Sequence, residues 1–245
     1  PLTPEDFLNP GKSVEFDGSN EYLAIYGSVG DWDGRIGGSA PNALPFSVSM
    51  WIKPTSLTPS DKLWEVGDPG SDNGRWMEIS VGPAIVFYSS RKDKAITSTL
   101  STGAWIHVVA TFEGLTGNAP KIYIDGVLDV DSSTGGVTDP DDLTTNPMFI
   151  AGNGANGFDG YMCDVAVWDT DLDTDDIEEV YNDGTRVDLT TLTPAANLLS
   201  WWKLGNHPLD STTGTLYDGV GPANATPTNM ESGDLQEVSP PAEAA

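Results

Sequence analysis

The chain has 245 residues, of which 38% are hydrophobic, enough to fill one large core or two small ones. Its 37 Asp and Glu residues outnumber its 11 Lys and Arg residues, so the formal net charge is -26. This balance disfavours a nucleic-acid partner and an anionic membrane surface, because both require clustered basic side chains, so we expect no nucleic-acid partner. No apolar run approaches the roughly 18 residues of a membrane-spanning helix, so we expect no membrane insertion. The single cysteine, Cys163, excludes an internal disulfide.

Alternating apolar residues predict short β-strands along most of the chain. In the segments 46–52 and 105–112 every second residue is apolar, and Ile122 and Ile124 repeat the pattern before a turn dipeptide, Asp-Gly. Because alternate side chains point to opposite faces, each pattern predicts a strand with one buried face. Further candidate strands are 13–16, 21–26, 62–66, 75–81, 84–89, 95–99, 147–152, 158–168 and 198–204. Many short strands with little helix predict an all-β fold of two antiparallel sheets packed as a sandwich.

One short helix is predicted within 172–181, where apolar residues recur at helical spacing. Asp173 can cap its first turn, with Asp176 in the capping-box position, and Gly184 then stops the helix. We expect a single domain over residues 1–234. The last residues, 235–245, have the composition of a flexible C-terminal tail.

Several segments together resemble a known fold family. They are SVEFDGSNEY (13–22), FSVSMWIK (46–53), WIHVVATF with KIYIDG (105–112 and 121–126), and FDGYMCDVAVW (158–168). In this order and spacing they resemble the laminin-G-like members of the concanavalin A-like lectin/glucanase superfamily, whose fold is a jelly roll. The resemblance covers about residues 13–184. It implies the fold and not an activity, because one fold hosts many functions.

The segment LLSWWKL (198–204) is similar to the opening strand of that family, although here it comes last. Domain termini usually lie close together, so a permuted chain order can close the same sandwich. We therefore predict a permuted jelly roll in which 198–204 is a core strand. A truncated second repeat is the alternative interpretation.

The residues do not predict a catalytic site. Glucanases of the superfamily carry Glu-x-Asp-x-x-Glu on one strand, where one carboxylate attacks and another donates a proton. The closest run here begins with Glu15 and Asp17 but has Asn20 at the third position, in a turn-like Gly-Ser-Asn segment. His107 and His207 have neither metal-site nor catalytic-triad spacing. We expect a protein that is not an enzyme.

Two acidic segments bear on calcium. The run 169–180 has Asp at three EF-hand positions, but Thr174 replaces the required Gly and Val180 replaces the required Glu. A capped acidic helix explains that run. Relatives in the resembled family hold calcium with an Asp of the closing strand, and here Cys163 occupies that position. We expect no cofactor, and calcium bound through Asp17 or Asp164 stays an open alternative.

Several basic and aromatic residues are predicted to lie on or beside loops at one rim of the sandwich. If successive connections alternate between two rims, counting from the turn at 17–20 predicts that the loops 27–45, 67–74, 90–94, 114–119 and 153–157 share one rim. The Asp-rich loop 132–146 and the helix then lie at the opposite rim. The candidate binding residues on the first rim are Trp32, Arg35, Arg75, Trp76, Arg91, Lys92 and Lys94. Aromatic rings stack on sugars and guanidinium groups bind carboxylate or sulfate, so this set predicts an anionic glycan or an acidic protein as ligand. Solvated loop charges are the alternative.

We expect a non-catalytic structural or adhesive protein on a virion surface, of the capsid-decoration or fibre type. Its partners would be capsid or tail proteins and host surface glycan. No export signal precedes the first strand, and the ending LLSWWKLG resembles laminin-G-like proteins of marine tailed phages. The alternatives are a secreted, extracellular carbohydrate-binding module and a glycoside hydrolase or lyase on the same fold.

Overall fold

The computed structural model describes residues 11–26, 35–37, 44–68, 73–89, 94–114, 119–129, 132–134, 147–154 and 156–238. These residues include the eight-residue α-helix α1 (Thr174–Tyr181) and a series of short strands. The strands are β1 (Ser13–Asp17), β2 (Tyr22–Ile25), β3 (Phe46–Pro54), β4 (Lys62–Asp68), β5 (Asn73–Ser80), β6 (Ala84–Tyr88), β7 (Lys94–Ile96), β8 (Ile106–Phe112), β9 (Lys121–Ile124), β10 (Val127–Leu128), β11 (Ser132–Thr134), β12 (Met148–Ile150), β13 (Asp159–Trp168), β14 (Leu198–Trp202), β15 (Thr226–Thr228) and β16 (Leu235–Gln236). None of the helices in this part of the chain is long and apolar enough to cross a bilayer.

The strands form two antiparallel sheets, which confirms the predicted all-β sandwich. Sheet A has the order β10-β9-β8-β3-β13-β1-β16, and β14 also pairs with β13. Sheet B has the order β11-β7-β6-β5-β4-β12-β2-β15. Neighbouring strands in both sheets are often distant in sequence, as in a jelly roll, so long-range pairing fixes the architecture.

The core lies between the sheets and follows the predicted alternation. On β3 and β8 the predicted inward faces are buried, and Phe46 packs against Phe112 with ring centroids 5.9 Å apart. Ile122 of β9 is also fully buried, whereas Ile124 is partly buried against the same cluster. The period of two along a strand therefore identified the core side chains correctly.

Two strands that are far apart in the sequence, β1 and β14, lie end to end beside β13 in sheet A. β13 pairs with β1 through Asp159–Met162 and with β14 through Val165–Trp168, on the same side. Both partners run antiparallel to β13, so β14 and β1 follow one another in the same direction. At their junction Asn206 Nδ2 donates to the Lys12 carbonyl at 2.7 Å, and Lys12 N donates to Asn206 Oδ1 at 3.1 Å. This arrangement supports the permuted interpretation.

Residues of the C-terminal segment pack against the sandwich beyond residue 234, where the sequence predicts that the domain ends. Trp202 and Leu204 are fully buried in the core. Leu235–Gln236 pair with β1, and Ser13 Oγ donates to the Val238 carbonyl at 3.1 Å. A flexible tail starting at residue 235 is therefore wrong for 235–238, because these residues extend the edge of sheet A. Residues 239–245 of the predicted tail lie outside the described residues.

Helix α1 covers the outer face of sheet A. Ile177 and Val180 pack with Trp168 and Trp201 in a second apolar cluster, separate from the main core. The predicted capping box of Asp173 and Asp176 is present. The helix ends at Tyr181, before Gly184, because Asn182 takes the left-handed conformation. The prediction that this helix lies at a rim is wrong, since its apolar stripe is buried against the sheet.

The predicted loop parity is correct for the strand ends that border 27–45, 67–74, 90–94 and 114–119, but it is wrong for 153–157 and for the Asp-rich loop. The turn at 17–20 lies beside Gly157. A Cβ atom added to this glycine would lie 3.1 Å from the Ser19 carbonyl oxygen. The strand ends bordering 27–45, 67–74, 90–94 and 114–119 lie at the opposite edge, because β2 separates the turn from the first of these segments. Thr134 pairs with Lys94, so the strand end before the Asp-rich loop lies at that same opposite edge.

Candidate functional site

Arg75 is a core residue, and its prediction as a loop binding residue is wrong. It lies within β5 and is fully buried. Its guanidinium carbon lies 4.7 Å from the Phe46 ring centroid and 5.4 Å from that of Phe112. Nη1 donates to the Ser89 carbonyl. The strand therefore directs this side chain inward, between the two sheets.

Arg35 is exposed but already paired. Its Nε and Nη2 donate to Asp169 Oδ2 at 3.2 and 2.7 Å, and Asp169 Oδ1 also accepts from Asn197 Nδ2 at 3.0 Å. Lys94 lies in β7 opposite Tyr88. The remaining predicted residues, Trp32, Arg91 and Lys92, lie outside the described residues. Trp76 and Lys94 both neighbour Tyr88 in the strand register, so a shared basic rim stays a prediction apart from the buried Arg75.

The carboxylate of Asp164 is committed to a buried network and does not fit a calcium site. Asp164 Oδ2 accepts from Arg186 Nε, and Oδ1 accepts from Trp201 Nε1 at 3.0 Å. Asp17, at the other end of the strand pair, accepts from Ser19 N at 2.8 Å. No group of three or more His, Cys, Asp or Glu side chains that could hold a metal occurs among the described residues. Asp164 therefore serves the buried network, and calcium bound through Asp17 stays a prediction.

The other sequence candidates occupy structural positions. Glu15 accepts from Tyr161 Oη at 3.1 Å, and β1 ends at Asp17 before the predicted turn. His107 faces outward from sheet A but is buried beneath α1, with its ring centroid 4.8 Å from that of Trp51. Burial lowers the pKa of His107 to about 3, so its imidazole is neutral at ordinary pH. Cys163 is buried within β13.

The outer face of sheet B carries a row of side chains, of which the sequence analysis identified only Trp76 as a candidate. Its strands point Leu23, Val66, Met77 and Phe87 into the core, so the alternate residues point away from it. The strand register aligns the outward residues Ala24, Phe149, Glu65, Trp76 and Tyr88 side by side. With strands about 4.8 Å apart, the row from Phe149 to Tyr88 spans roughly 14 Å. This is the length of a short oligosaccharide.

Aromatic rings dominate this row. Trp76 and Tyr88 stack with centroids 4.3 Å apart and planes inclined by 17°. Tyr22 meets the Phe149 ring edge-on at 5.7 Å. Tyr22, Phe149 and Tyr88 are half-buried, whereas Trp76 is 7% exposed. The accessible rings thus flank a more deeply set indole.

Charged groups accompany the rings. Lys62 and Glu78 face each other on β4 and β5 and form an ion pair. The Lys62 ammonium lies 5.6 Å from the centroid of the Trp76 ring. Glu65, between Phe149 and Trp76 in the register, is buried. We call the set Tyr22, Lys62, Glu65, Trp76, Glu78, Tyr88 and Phe149 the aromatic face.

A signal for the aromatic face does exist in the sequence. In the predicted strands 62–66, 75–81 and 84–89, the residues between the core positions include Glu65, Trp76 and Tyr88. Alternation can show that these residues share an outward face within each strand. It cannot show which residues of different strands become neighbours, because the register comes from tertiary pairing.

Solved structures with the same fold include carbohydrate-binding proteins. A candidate carbohydrate binding protein from Bacteroides ovatus superposes with a TM-score of 0.66 at 18% identity, covering 96% of this chain and 62% of that one. The chain thus spans less than two thirds of that protein's length. The CBM40 of the Ruminococcus gnavus IT-sialidase, bound to α2,3 sialyllactose, gives 0.51 at 14% identity, with coverages of 69% and 96%. At these identities the likeness establishes the fold alone.

A third similar structure is domain 4 of a GH43 extracellular arabinanase from Geobacillus stearothermophilus in complex with arabinotriose. It gives a TM-score of 0.50 at 18% identity, covering 69% of this chain and 76% of that domain. No curated protein matches the sequence significantly. The Laminin_G_3 family, described as Concanavalin A-like lectin/glucanases superfamily, matches residues 18–178, which is more than half of the chain. The chain therefore belongs to this family, as its motifs predicted.

Proposed function

We propose that this protein is a non-catalytic glycan-binding module and that the aromatic face is its binding surface. The observation that carries the proposal is the row of Phe149, Trp76 and Tyr88 on the sheet face opposite the helix-covered one. Aromatic rings offer apolar area and a π-face, which complement the C–H faces of sugar rings. Flanking polar groups would orient the sugar hydroxyls, as in other ligand sites.

The similar structures support this proposal through their ligands. The Ruminococcus gnavus module holds sialyllactose and the arabinanase domain holds arabinotriose, both on the same sandwich fold. The fold by itself does not determine function, so the argument rests on the aromatic face of this chain.

The carboxylates of the aromatic face argue against hydrolysis. Retaining and inverting glycosidases need two carboxyl groups free to act on opposite sides of the scissile bond. Glu78 is held by Lys62, and Glu65 is buried in the sheet surface. A glycoside hydrolase or lyase remains testable by incubating the protein with β-glucans and agars, where we expect no release of reducing sugar. Release that Glu78→Gln abolishes would contradict the non-catalytic proposal.

Binding to a glycan array tests the proposal directly. We expect the wild type to retain specific oligosaccharides and the Tyr88→Ala and Phe149→Ala variants to lose them. Tyr161→Ala is the matched control, because Tyr161 is a half-buried tyrosine on sheet A. If Tyr161→Ala loses binding and Tyr88→Ala keeps it, the wrong face has been assigned.

The place where such a module acts remains a prediction. A virion surface is favoured by the resemblance of residues 198–205 to proteins of marine tailed phages. A secreted adhesion module would use the same aromatic face. Antibodies against the chain would label purified virus particles in the first case and cell-free medium in the second.

A further inference from the structure

A groove lies on the outer side of sheet A, between α1 and the turn that joins β9 to β10. It has a volume of about 670 Å³ and is lined by the turn residues 125–127 and by residues of α1 and the turn that follows it. Ligand sites in proteins commonly have volumes of about 300 to 1,000 Å³. The groove is therefore large enough to receive several side chains of a peptide.

One wall of the groove is an aromatic ring that the fold holds in place. Gly126 lies against Tyr181, since a Cβ atom added to this glycine would lie 2.7 Å from Tyr181 Cδ1. The Tyr181 ring stacks on His107 with centroids 5.8 Å apart and planes inclined by 22°, and its centroid lies 6.0 Å from that of Trp51. A ligand entering the groove therefore meets a preformed aromatic surface.

A second wall is the apolar edge of sheet A. The strand β10 comes last in the order of that sheet, and its two residues, Val127 and Leu128, are 68% and 54% exposed. Val127 also lines the groove. A single exposed apolar side chain is common on protein surfaces, but two in succession beside a groove offer a partner an apolar contact.

The rim of the groove is negatively charged. The segment 122–185 supplies every described lining residue, and it contains 16 Asp and Glu residues and no Lys, Arg or His. Among these lining residues Asp175, Glu178 and Asp183 are exposed, and no described cation forms an ion pair with them. The pKa of Tyr181 is raised, first by burial and then by neighbouring carboxylates that include Asp183. The negative potential thus reaches the aromatic wall.

The carboxylates surround the groove instead of converging on one point. Asp125 Oδ1 accepts from His107 N at 2.9 Å, and Glu179 Oε2 accepts from Thr193 N at 2.9 Å, so these two are fixed by the backbone of neighbouring segments. In the part of the chain that the structure describes, no three such side chains are arranged to hold one metal ion. The charge therefore complements an extended organic cation better than a single metal ion.

We propose that this groove binds a basic segment of a partner protein in which Lys or Arg residues alternate with apolar residues. An ammonium or guanidinium group of the segment lies over the Tyr181 ring and pairs with Glu178 or Asp183. The apolar stems of these side chains and the residues between them contact Val127. The formal net charge of -26 attracts such a segment at long range. The site is separate from the aromatic face, which lies on sheet B.

Peptides of equal length test this proposal by calorimetry with the full chain. We expect Lys-Leu-Lys-Leu-Lys to bind at least about fivefold more tightly than Lys-Ser-Lys-Ser-Lys, because its leucines bury apolar area against β10. Glu-Leu-Glu-Leu-Glu should not bind. The affinity of the first peptide should decrease with added salt, because screening weakens the attraction.

Matched variants locate the site. Glu178→Gln and Val127→Ser should each weaken binding of the Lys-Leu peptide about threefold, and together about tenfold. The controls are Glu237→Gln, an exposed position beyond β16 at the opposite edge of sheet A, and Val81→Ser, an 84% exposed position in the turn between β5 and β6. The control pair makes the same chemical changes and should alter the affinity less than twofold. Thermal melts confirm that the variants fold, as expected for exposed positions.

The indole N–H signal of Trp51 reports binding independently of the variants. Because Trp51 lies beside Tyr181, we expect its signal to shift on addition of the Lys-Leu peptide while that of Trp76 stays in place. An unmoved Trp51 signal, equal losses in the groove and control variants, or equal binding of the Lys-Ser peptide would overturn the proposal and indicate general attraction to an acidic surface. Spermidine or Ca²⁺ that binds more tightly than the peptide and depends on Glu178 would overturn it in favour of a small cation.

Discussion

The outer faces of the two sheets differ although their inner faces serve the same core. On sheet A the outward Val109, Ala166 and Trp168 are fully buried beneath α1 and its neighbouring turns. On sheet B the outward side chains form an aromatic and charged row, and no helix packs there among the described residues. The inner faces alone form the core of the sandwich, so each outer face can take on a different role. We infer that one adds stability and the other binds ligand.

The polar groups of the two faces differ in the same way. On sheet A, Asp164 and Arg186 are both buried and bonded to each other. On sheet B, the Lys62–Glu78 pair lies at the surface, with side chains 14% and 18% exposed. A buried pair is costly to break because the surviving partner loses its compensation, whereas a surface pair contributes little to stability. Substitutions on the two faces should therefore separate stability from binding.

The largest expected effect comes from Trp201→Ala on sheet A. The Trp201 indole is buried, donates to Asp164 and lies 4.1 Å from the Lys203 ammonium. Its removal should lower the free energy of unfolding by about 4 kcal/mol, as for other buried aromatics. Tyr88→Ala on sheet B should cost about 1 kcal/mol, because its ring is only half-buried. Urea denaturation of both variants provides the measurement, and equal losses would remove the contrast between the faces.

Asp164→Ala should have the next largest effect. It leaves the Arg186 guanidinium buried without its carboxylate, so we expect a loss of about 3 kcal/mol. Thermal melts with and without added calcium provide the measurement. Calcium that stabilises the wild type but not the variant would show that Asp164 is a metal ligand after all.

The Arg75→Met variant tests whether Arg75 is a core residue while its chain neighbour Trp76 belongs to the aromatic face. Methionine keeps much of the volume between Phe46 and Phe112 but loses the hydrogen bonds to backbone carbonyls. We expect about 2 kcal/mol of destabilisation and unchanged glycan affinity in the folded protein. Loss of affinity at unchanged stability would instead support the loop binding role that the sequence suggested.

The smallest expected effect is pH-dependent and lies at Glu21. Burial, followed by the charges of Asp234, Asp17 and Glu15, raises the pKa of Glu21 from 4.5 to about 7. The folded state therefore binds more protons than the unfolded state between these values, so stability falls as pH rises through this window. Glu21→Gln should be more stable than the wild type by about 1 kcal/mol at pH 8 and equal to it at pH 4. Glu178→Gln, an exposed change, serves as the control. A wild-type advantage at pH 8 would contradict the assigned shift.

The sequence predicted the elements better than the site for a physical reason. Alternation in 46–52 and 105–112 is local, so it identified the buried faces of β3 and β8 correctly. The alignment of Glu65 with Trp76 and Tyr88 arises only when three strands pair in register. Arg75 was assigned to the surface because it lies near other basic residues of the loops. It also lies two residues before the core residue Met77, so alternation along the strand favours the core for both side chains. The alternation of residues within each strand thus predicts the two sheets, whereas the candidate site forms only through long-range strand pairing.

Tryptophan indole NMR tests the central contrast most directly. The chain has eight tryptophans, each with one indole N–H signal, and they sample both faces and the core. On titration with a glycan selected from the array, we predict that the Trp76 signal shifts while those of Trp201 and Trp202 stay in place. A ligand that moves Trp51 and Trp201 beneath α1 and leaves Trp76 unchanged would place binding on sheet A and contradict the account.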